Sequence, residues 1–236
     1  MKVSLIIPMY NESKIIGHTA QALCGYMSDN FDDYEILFCD DGSTDGSKAV
    51  LESLQLPTVR VIGYDDNRGK GSAVRTGMLA AEGDIRIFTD ADLAYGTDVI
   101  VSAVEALGRD KQADMLIGSR NIGADGYDGY TLGRKIRSKM YITVLCLVGG
   151  FRLSDSQCGF KAFTADAANG IFSECKVDGF AFDFEVILRA NKQGRKIIEM
   201  PVRIINHRHS SVKPLKDAAK MLGDIRRIKK DIRTEK

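Results

Sequence analysis

The sequence lacks the features that mark a disulfide-stapled, secreted or membrane-spanning chain. Its five cysteines are odd in number and none are spaced as a Cys-x-x-Cys pair, so neither a disulfide framework nor a zinc site is expected. The run that follows Met1 is a short apolar strand, too short for a signal peptide. The longest largely apolar run, residues 140–151, is about twelve residues long, whereas crossing a bilayer takes about 20. A reducing, cytosolic setting is therefore expected.

The sequence also has almost no net charge. A formal charge of +1 argues against a nucleic-acid-binding protein that works through an overall positive field. The charge is unevenly distributed, because residues 213–236 carry nine Lys or Arg against four Asp or Glu. That segment is predicted to form a basic helix.

Short β-branched runs alternate with segments of helical period. Strands are predicted over residues 3–7, 35–39, 59–63, 85–89 and 115–118, and helices over 12–27, 47–54, 72–81 and 97–107. Further on we expect a loop over 121–130, helices over 132–148 and 184–192, and strands over 159–163 and 196–203. This order predicts an α/β fold with a mainly parallel sheet covered by helices on both faces. Its ligand is expected at the carboxyl ends of the strands.

Polar and acidic residues follow the first two predicted strands. Asn11 is predicted to cap the helix after the first strand. Residues 40–46 (DDGSTDG) place three carboxylates at one strand-to-helix turn, where their mutual repulsion must be offset. Either this run forms a plain turn and helix cap, or Asp40 or Asp41 accepts hydrogen bonds from a nucleotide base or ribose.

Residues 65–75 (DDNRGKGSAVR) follow the third predicted strand. Two glycines there permit close backbone approach, and Lys70 and Arg75 supply positive charge near a helix N-terminus, a combination that suits a diphosphate. The spacing matches neither the GxxxxGK[ST] nor the GxGxxG fingerprint. ATPase and NAD-binding functions therefore lose their main support.

Asp90 and Asp92 follow the fourth predicted strand. Residues two apart on an extended strand point the same way, so both carboxylates are predicted to aim at one point. Converging carboxylates raise each other's pKa unless a cation lies between them, and Mg²⁺ or Mn²⁺ is the hard, oxygen-seeking ion that suits such a pair. The alternative is two solvated aspartates on a loop.

Together these runs resemble family 2 glycosyltransferases, whose fold is the Rossmann-like GT-A fold. The resemblance rests on residues 8–12 (PMYNE), 40–46, 67–71 (NRGKG), 90–92 (DAD) and 118–120 (GSR). Three later runs are similar to the branch that contains dolichyl-phosphate mannose and glucose synthases: residues 155–161 (DSQCGFK), 182–185 (FDFE) and 199–202 (EMPV).

The resemblance implies a donor site, a metal site and an acceptor site. The nucleotide-sugar donor is expected at the residues Pro8, Tyr10, Asn11, Glu12, Asp40, Asp41, Lys70, Asp90, Ala91, Asp92, Arg208 and Lys213. Asp90 and Asp92 are expected to hold Mg²⁺ or Mn²⁺ on the diphosphate, and Arg120, with Arg134 or Arg137, is expected to meet an acceptor phosphate. The predicted catalytic residues are thus Asp92, Arg120, Arg134 and Arg137. At residues 209–213 (HSSVK) the chain departs from the Gly-x-Ser-Lys-like loop of the family.

The same resemblance implies a division of the chain and a reaction. Residues 1–212 are expected to form the GT-A domain, with 1–120 as the nucleotide-sugar half and 121–212 as the acceptor half, before the basic helix of 213–236. The implied reaction is inverting, metal-dependent transfer of a hexose from UDP-glucose, or as second choice GDP-mannose, to a polyprenyl or dolichyl phosphate at the membrane surface.

Cationic residues next to the apolar run 140–151, and the basic tail, predict C-terminal helices that lie on anionic lipid. The ordinary alternatives are a buried helix with charged ends and a solvated amphipathic helix. The chain is accordingly expected to be cytoplasmic and peripheral at the cytoplasmic face of a membrane. Its membrane contact is either direct or through a membrane-protein partner.

Two other functions stay open. Transfer to a saccharide hydroxyl in cell-surface polysaccharide synthesis would require a general base, for which Asp155, Asp183 and Glu185 are candidates. A noncatalytic sugar-nucleotide sensor would keep the nucleotide-binding residues and lose metal or acceptor residues, yet Asp90, Asp92 and Arg120 are all present.

Overall fold

The computed structural model of the chain describes residues 1–123, 126, 132–206 and 214–234, without the side chains of residues 134, 137, 141, 214–222 and 233. The strands are β1 (Val3–Met9), β2 (Tyr34–Asp41), β3 (Val59–Tyr64), β4 (Ile85–Phe88), β5 (Met115–Ser119), β6 (Lys161–Thr164) and β7 (Ile197–Pro201). The helices are α1 (Ile16–Asn30), α2 (Ser47–Ser53), α3 (Lys70–Ala80), α4 (Asp98–Arg109), α5 (Leu132–Gly149), α6 (Ala165–Glu174), α7 (Phe182–Lys192) and α8 (Pro214–Thr234).

The described strands form one sheet in the order β3-β2-β1-β4-β6-β5-β7. Every neighbouring pair is parallel except those of β6, which runs antiparallel to both β4 and β5. All seven residues of β1 are buried, as expected for a central strand with helices on both faces, whereas β3 and β7 at the edges are only partly buried. The predicted α/β architecture is confirmed.

The strand β6 joins the two predicted halves of the chain. It comes from the predicted acceptor half but lies between β4 and β5, which belong to the nucleotide-sugar half. Both halves therefore share one sheet and one core, in which Phe88 of β4 packs against Phe182 of α7 with ring centroids 5.7 Å apart. The division into functional halves stays a prediction.

Several element boundaries differ from those predicted. The helix α1 begins at Ile16 rather than at residue 12, and β4 ends at Phe88, before the acidic run. The helix α6 was not predicted at all; it begins after Thr164, whose hydroxyl accepts a hydrogen bond from the Ala167 amide at 3.3 Å. Its short length and internal Gly170 weaken the helical signal.

The two predicted interfacial helices contact each other. Ile225 and Ile228 of α8 are buried, and the Lys229 ammonium donates a hydrogen bond to the Val148 carbonyl near the end of α5, at 2.6 Å. A cation at a helix C-terminus is favourable because the last carbonyls carry partial negative charge. None of the described helices combines the length and the apolar composition that crossing a bilayer requires.

Candidate active site

The candidate site lies at one edge of the sheet. Because β1, β2, β4 and β5 run in the same direction, their carboxyl ends meet at this edge, and the antiparallel β6 begins there. The loops that carry the predicted donor residues, the 90–92 run and Arg120 therefore converge, as expected for a ligand site in an open α/β sheet.

The loop after β1 is bound to the loop after β2. The Asn11 amide donates to Ser43 Oγ at 2.9 Å, and Asn11 Oδ1 accepts from the Thr44 amide at 2.8 Å. Asn11 adopts a positive φ of 55°, and the helix α1 has Ile15 at its N-cap with no side-chain cap. The predicted helix cap is therefore wrong: Asn11 joins two loops at the sheet edge instead.

The residues around Asn11 include one buried apolar side chain and one exposed aromatic side chain at this edge. Pro8 is buried in β1, whereas the Tyr10 side chain is 46% exposed. The backbone amide of Glu12 donates to Ser47 Oγ at 2.8 Å, which fixes the loop against the start of α2. An exposed aromatic ring on a fixed loop is a suitable surface for a flat base.

Protein donors offset the repulsion among the three carboxylates at the end of β2 and in the loop that follows it. Asp40 Oδ1 accepts from the Ser43 amide at 3.0 Å, while Asp45 accepts from the amides of Ser13 and Ser47 and from the Ser47 hydroxyl. Burial alone would raise the pKa of Asp45, but the hydrogen bonds from Ser47 and Ser13 outweigh it and lower that pKa well below its usual range.

Asp41 is the most heavily bonded of the three carboxylates. It accepts hydrogen bonds from the Tyr64 hydroxyl at 2.8 Å, the Asn67 side chain at 3.0 Å, and the amides of Arg68 and Gly69 at 2.9 to 3.0 Å. Burial and the nearby Asp41 charge raise the pKa of Tyr64. These contacts give Asp41 a structural role in the loop before α3, and its direct contact with a nucleoside stays a prediction.

The glycines of that loop approach protein rather than an open anion site. A β-carbon on Gly69 would lie 2.5 Å from the Asp178 carbonyl oxygen, and the Gly71 amide donates to the same oxygen at 2.7 Å. Arg75 pairs with the Asp178 carboxylate at 2.6 Å. The reading of Arg75 and the two glycines as diphosphate ligands is therefore corrected: they hold residues 177–179 against α3.

Lys70 is the cation of this run that does face the acidic residues after β4. Its ammonium lies 2.5 Å from Asp90 Oδ1. Burial would lower the pKa of Lys70, but the carboxylates of Asp90, Asp183 and Asp92 outweigh this effect and raise it. Lys70 therefore places a positive charge beside the predicted metal carboxylates.

Asp90 and Asp92 lie in a turn and not on an extended strand. Because β4 ends at Phe88, the strand argument for their common direction fails; Asp92 Oδ1 accepts from the Ala94 amide at 3.1 Å, as in a turn. Between them, Ala91 is buried and its carbonyl accepts from the Thr19 hydroxyl at 2.8 Å. The side chain of Asp90 is 33% exposed and remains accessible to a ligand.

These residues fit a cation of the Mg²⁺ type. The described residues contain no group of three or more His, Cys, Asp or Glu side chains placed to hold a metal. Mg²⁺ is, however, commonly held by one or two carboxylates with substrate phosphates and water as its other ligands. Asp90 and Asp92 supply that kind of oxygen set.

Residues 155–161 connect this acidic turn to Arg120. Gly159 lies against the carboxylate of Asp90, since a β-carbon on Gly159 would come within 2.3 Å of Asp90 Oδ2. At the other end, Asp155 makes a bidentate pair with Arg120, with Nε–Oδ2 and Nη2–Oδ1 distances of 2.6 and 2.9 Å. One short segment thus contacts both Asp90 and Arg120.

The pair of Arg120 and Asp155 is buried. The side chain of Asp155 is 0% exposed and that of Arg120 is 12% exposed. Burial would lower the pKa of Arg120, but its hydrogen bonds to Asp155 raise it far above the usual range. The predicted contact of Arg120 with an acceptor phosphate stays a prediction, and any such contact would be made by a guanidinium that Asp155 already orients.

A second buried ion pair lies beneath the same segment. Lys161 is 0% exposed, and its ammonium lies 2.6 Å from both Asp183 Oδ1 and the Cys158 carbonyl oxygen. Burial raises the pKa of Asp183, although Lys161 and Lys70 oppose the rise. This pair holds the 158–161 backbone to α7, and neither partner had been predicted in that role.

Each of the three candidate general bases is held by hydrogen bonds or an ion pair with other residues of the protein. Glu185 accepts from the amides of Lys176 and Val177 at 2.7 to 3.0 Å and from Arg189 Nε at 2.9 Å, and it is buried. Asp155 and Asp183 are each in an ion pair. These contacts favour structural roles and give no support to a base that activates a hydroxyl.

A network of hydroxyls and one carboxylate adjoins the pair of Arg120 and Asp155, and Glu199 Oε1 also accepts from the Asp155 amide at 3.3 Å. Ser119 and Ser154 hydroxyls are 2.5 Å apart, and Glu199 Oε1 accepts from the Ser154 hydroxyl at 2.6 Å and from its amide at 2.9 Å. In the sequence, the 199–202 run stands out only by its similarity to dolichyl-phosphate mannose and glucose synthases. The alternation of Glu199 with apolar neighbours in a strand that ends at the site edge was the signal available.

Four predicted residues receive no side-chain description. Arg134 and Arg137 lie on α5 after Arg120, but their side chains are outside the described part of the chain, and Arg208 and Lys213 lie outside the described residues altogether. Their roles in binding phosphates stay predictions.

The model of glycosyl transferase family 2 matches residues 4–172 of this sequence, which include the loops after β1, β2 and β3, the acidic turn and the 155–161 segment. The chain belongs to this family. The predicted family is therefore confirmed. The match ends inside α6, so α7, β7 and α8 lie beyond it.

Curated relatives of the chain include dolichyl-phosphate beta-glucosyltransferases from several eukaryotes. A Trichomonas vaginalis protein of this name is 30% identical over 210 residues, covering 85% of this chain and 64% of the relative. Those of Drosophila melanogaster and Saccharomyces cerevisiae are 31% and 28% identical, covering 86% and 94% of this chain and 67% and 72% of their own lengths. The chain thus spans roughly two thirds of the relatives' length.

Solved structures confirm the fold. Glucosyl-3-phosphoglycerate synthase from Mycobacterium tuberculosis, in complex with Mn²⁺, UDP and phosphoglyceric acid, matches with a TM-score of 0.71 at 16% identity. The match covers 98% of this chain and 78% of that chain. At 16% identity this structural likeness shows the fold alone, which is the GT-A architecture.

Proposed function

We propose that the chain transfers a glucosyl residue from UDP-glucose to a polyprenyl phosphate of the dolichyl type, with inversion at the anomeric carbon. The observation that carries the proposal is the 155–161 segment, which fixes Asp90 and Arg120 at one sheet edge. The names of the curated relatives support glucose and a dolichyl phosphate, and the UDP-bound structure supports a uridine donor. GDP-mannose is the second-choice candidate for the donor.

The reaction exchanges one bond at the anomeric carbon. A phosphate oxygen of the acceptor attacks that carbon, and the bond to the diphosphate oxygen breaks, so that UDP leaves with the bonding electron pair. The acceptor phosphate is already anionic at neutral pH and requires no strong general base, which agrees with the engaged state of Asp155, Asp183 and Glu185.

The donor half of the site is assigned from the sheet edge. The exposed ring of Tyr10, with Pro8 and Glu12, is proposed to border the nucleoside. Asp40 is proposed to accept hydrogen bonds from the nucleoside directly, because within the described part of the chain only the Ser43 amide donates to its carboxylate, at Oδ1. Asp41 is assigned the supporting role that its contacts indicate, holding the loop that ends at Lys70.

Charge on the leaving diphosphate requires fixed cations nearby. Lys70, held beside Asp90 at 2.5 Å, is proposed to meet the diphosphate. Asp90 and Asp92 would hold Mg²⁺ or Mn²⁺, which when bound stabilises the developing negative charge of the leaving group. On the acceptor side, Arg120 and the α5 arginines at positions 134 and 137 are proposed to bind the acceptor phosphate.

A membrane-facing surface agrees with a lipid acceptor. Four apolar residues recur every fourth position along α5, and they are between 44% and 74% exposed: Leu132, Ile136, Met140 and Val144. Lys135 and Lys139 interleave with this stripe. We propose that this face of α5 lies on anionic lipid at the cytoplasmic side of a membrane, directly or with a membrane-protein partner.

Vesicle cosedimentation tests the membrane contact. Binding to phosphatidylserine-containing vesicles at low salt is expected for the wild type and should weaken strongly in Met140→Glu. The matched control is Leu79→Glu, since Leu79 is a 45% exposed leucine on α3, outside the stripe. No vesicle binding by the wild type, or equal loss in both variants, contradicts a direct contact.

The transfer itself is tested with soluble substrates. Purified protein, Mn²⁺, UDP-glucose and farnesyl phosphate should yield β-glucosyl farnesyl phosphate, with little product from GDP-mannose, and the anomeric configuration is read by NMR. Asp92→Ala should remove activity by more than about a hundredfold, while Asp29→Asn, an exposed change on α1, should not. A product with retained configuration, or no product from any prenyl phosphate, contradicts the proposal.

A further inference from the structure

A cleft lies beside the acceptor end of the site. It is enclosed by α5 and residues 150–154 and has a volume of about 600 Å³, within the range of small-molecule sites, about 300–1,000 Å³. Much of its wall is apolar, with Ile142, Leu147, Phe151 and Leu153. Leu147 is 78% exposed at this wall, so the cleft opens to the outside.

The polar end of the cleft adjoins the pair of Arg120 and Asp155. Asn121 and Ser154, which line the cleft, are the chain neighbours of that pair. Asn121 Nδ2 donates to the Ser154 carbonyl at 2.7 Å, whereas Asn121 Oδ1 is buried and has no hydrogen-bond partner among the described residues. A buried acceptor without a donor is costly, so a water molecule is expected to donate to it at this end of the cleft.

The cleft also carries positive charge. Lys139 and Arg152 belong to its lining, Lys139 on α5 and Arg152 in the 150–154 segment. An apolar wall with two cations is complementary to a molecule that has an apolar chain and an anionic head. Neither inorganic phosphate, which lacks the chain, nor a prenyl alcohol, which lacks the charge, matches both parts.

We infer that this cleft binds the first isoprene units of the lipid acceptor along its apolar wall, with Lys139 and Arg152 beside the acceptor phosphate. The inference rests on the proposed function and specifies where the acceptor chain lies. It places the isoprenoid chain in the cleft, between residues 142–147 of α5 and residues 151–153, and leaves the exposed stripe of α5 to the membrane.

Protection of an introduced thiol tests occupancy without any measurement of activity. Thr143 lines the cleft, and its hydroxyl donates to the carbonyl four residues earlier; Ser102 on α4 is exposed and makes the same local contact, which makes it a matched control. Cys146 is a native thiol of the same cleft, so both variants are made in a Cys146→Ser background. Farnesyl phosphate should then slow maleimide labelling of Thr143→Cys several-fold and leave labelling of Ser102→Cys unchanged.

The other ligands and occupants have distinct outcomes in that experiment. Inorganic phosphate should give no protection and farnesol much less than farnesyl phosphate. Equal protection by inorganic phosphate would indicate a plain anion site and overturn the inference. Labelling that slows as the protein concentration rises, with no ligand present, would mean that a second copy covers the cleft, and this also overturns it.

Kinetics separate failure of the inference from failure of the proposed function. Leu147→Glu should raise the KM for farnesyl phosphate about tenfold with kcat and UDP-glucose KM nearly unchanged, while Leu79→Glu leaves all three unchanged. Wild-type transfer with no KM change in Leu147→Glu overturns the cleft assignment alone. No binding and no transfer of any prenyl phosphate by the wild type overturns the proposed function, and the cleft assignment with it.

Discussion

The carboxylate of Asp90 lies directly against the Cα atom of Gly159. A β-carbon at position 159 would be 2.3 Å from Asp90 Oδ2, which is closer than such atoms ever approach, and the Gly159 amide is held in place by the Tyr95 hydroxyl at 3.2 Å. Asp90 is bonded to Lys70 on its other oxygen. Glycine at position 159 is therefore a condition for the placement of the acidic turn.

Gly159→Ala is expected to displace Asp90 and weaken binding of Mn²⁺ with UDP about tenfold, because the added methyl group and the carboxylate cannot occupy the same volume. The binding is measured by electron paramagnetic resonance of free Mn²⁺ and by the thermal shift that UDP produces. Gly108→Ala is the control, since nothing lies within 4 Å of that position on α4. Unchanged Mn²⁺ and UDP affinity in Gly159→Ala would show that Asp90 is not a ligand.

Lys161→Met is expected to lower the free energy of unfolding by about 3–5 kcal/mol, because it leaves the Asp183 carboxylate buried without its partner at 2.6 Å. Urea unfolding measures the loss. The double variant Lys161→Met with Asp183→Asn should lose clearly less than the sum of the two single variants, since neither charge then remains uncompensated. Simple additivity would argue against a coupled pair.

Asp41→Asn is expected to destabilise the loop before α3 by about 2 kcal/mol, because an amide presents a donor where the Gly69 and Arg68 amides require an acceptor. UDP binding should weaken as well, through the displaced Lys70. Asp66→Asn changes an exposed aspartate of the same loop and should have little effect on either. A variant that keeps its stability but loses UDP would instead support direct nucleoside contact by Asp41.

Glu35 is expected to contribute acid sensitivity. Burial would raise its pKa, but hydrogen bonds from Ser4, the Glu82 amide and Arg60 outweigh burial and lower it below the ordinary 4.5. A lowered pKa in the folded state means that the stabilisation is present above that ordinary value and is lost as the pH falls through the folded-state pKa.

The measurement is the free energy of unfolding of the wild type and Glu35→Gln between about pH 6 and about pH 3. The wild type should lose stability over this interval more steeply than Glu35→Gln. Glu105→Gln, an exposed change on α4, should leave the wild-type slope intact. Parallel curves for the wild type and Glu35→Gln would refute the assignment.

The order of elements could be predicted because it depends on local periodicity. The β1 to β5 strands are short apolar runs bounded by Gly, Asp or Asn, and the intervening helices carry their own period. The short helix α6 was not predicted, because ten residues with an internal glycine give a weak helical signal. The end of β4 was also predicted wrongly. The argument that the Asp90 and Asp92 side chains point the same way depended on that end and therefore failed.

The residue types of the candidate site were predictable, whereas their partners were not. The acidic turn, the loop of 65–75 and Arg120 all stand out as charged groups after apolar runs. That Asp41 holds Gly69, that Asp178 holds Arg75 and that Asp155 holds Arg120 depends on segments 28, 103 and 35 residues apart. No local pattern encodes such pairings.

By itself, the sequence determined the α/β class, the family and the set of charged residues at the strand ends, because strand and helix periods and turn residues are local properties. Only the tertiary structure decided which carboxylates remain accessible to a ligand. The antiparallel insertion of β6 between β4 and β5 brings Gly159 to Asp90 and Asp155 to Arg120, and strand pairing of this kind is settled by packing and backbone hydrogen bonds across the whole sheet.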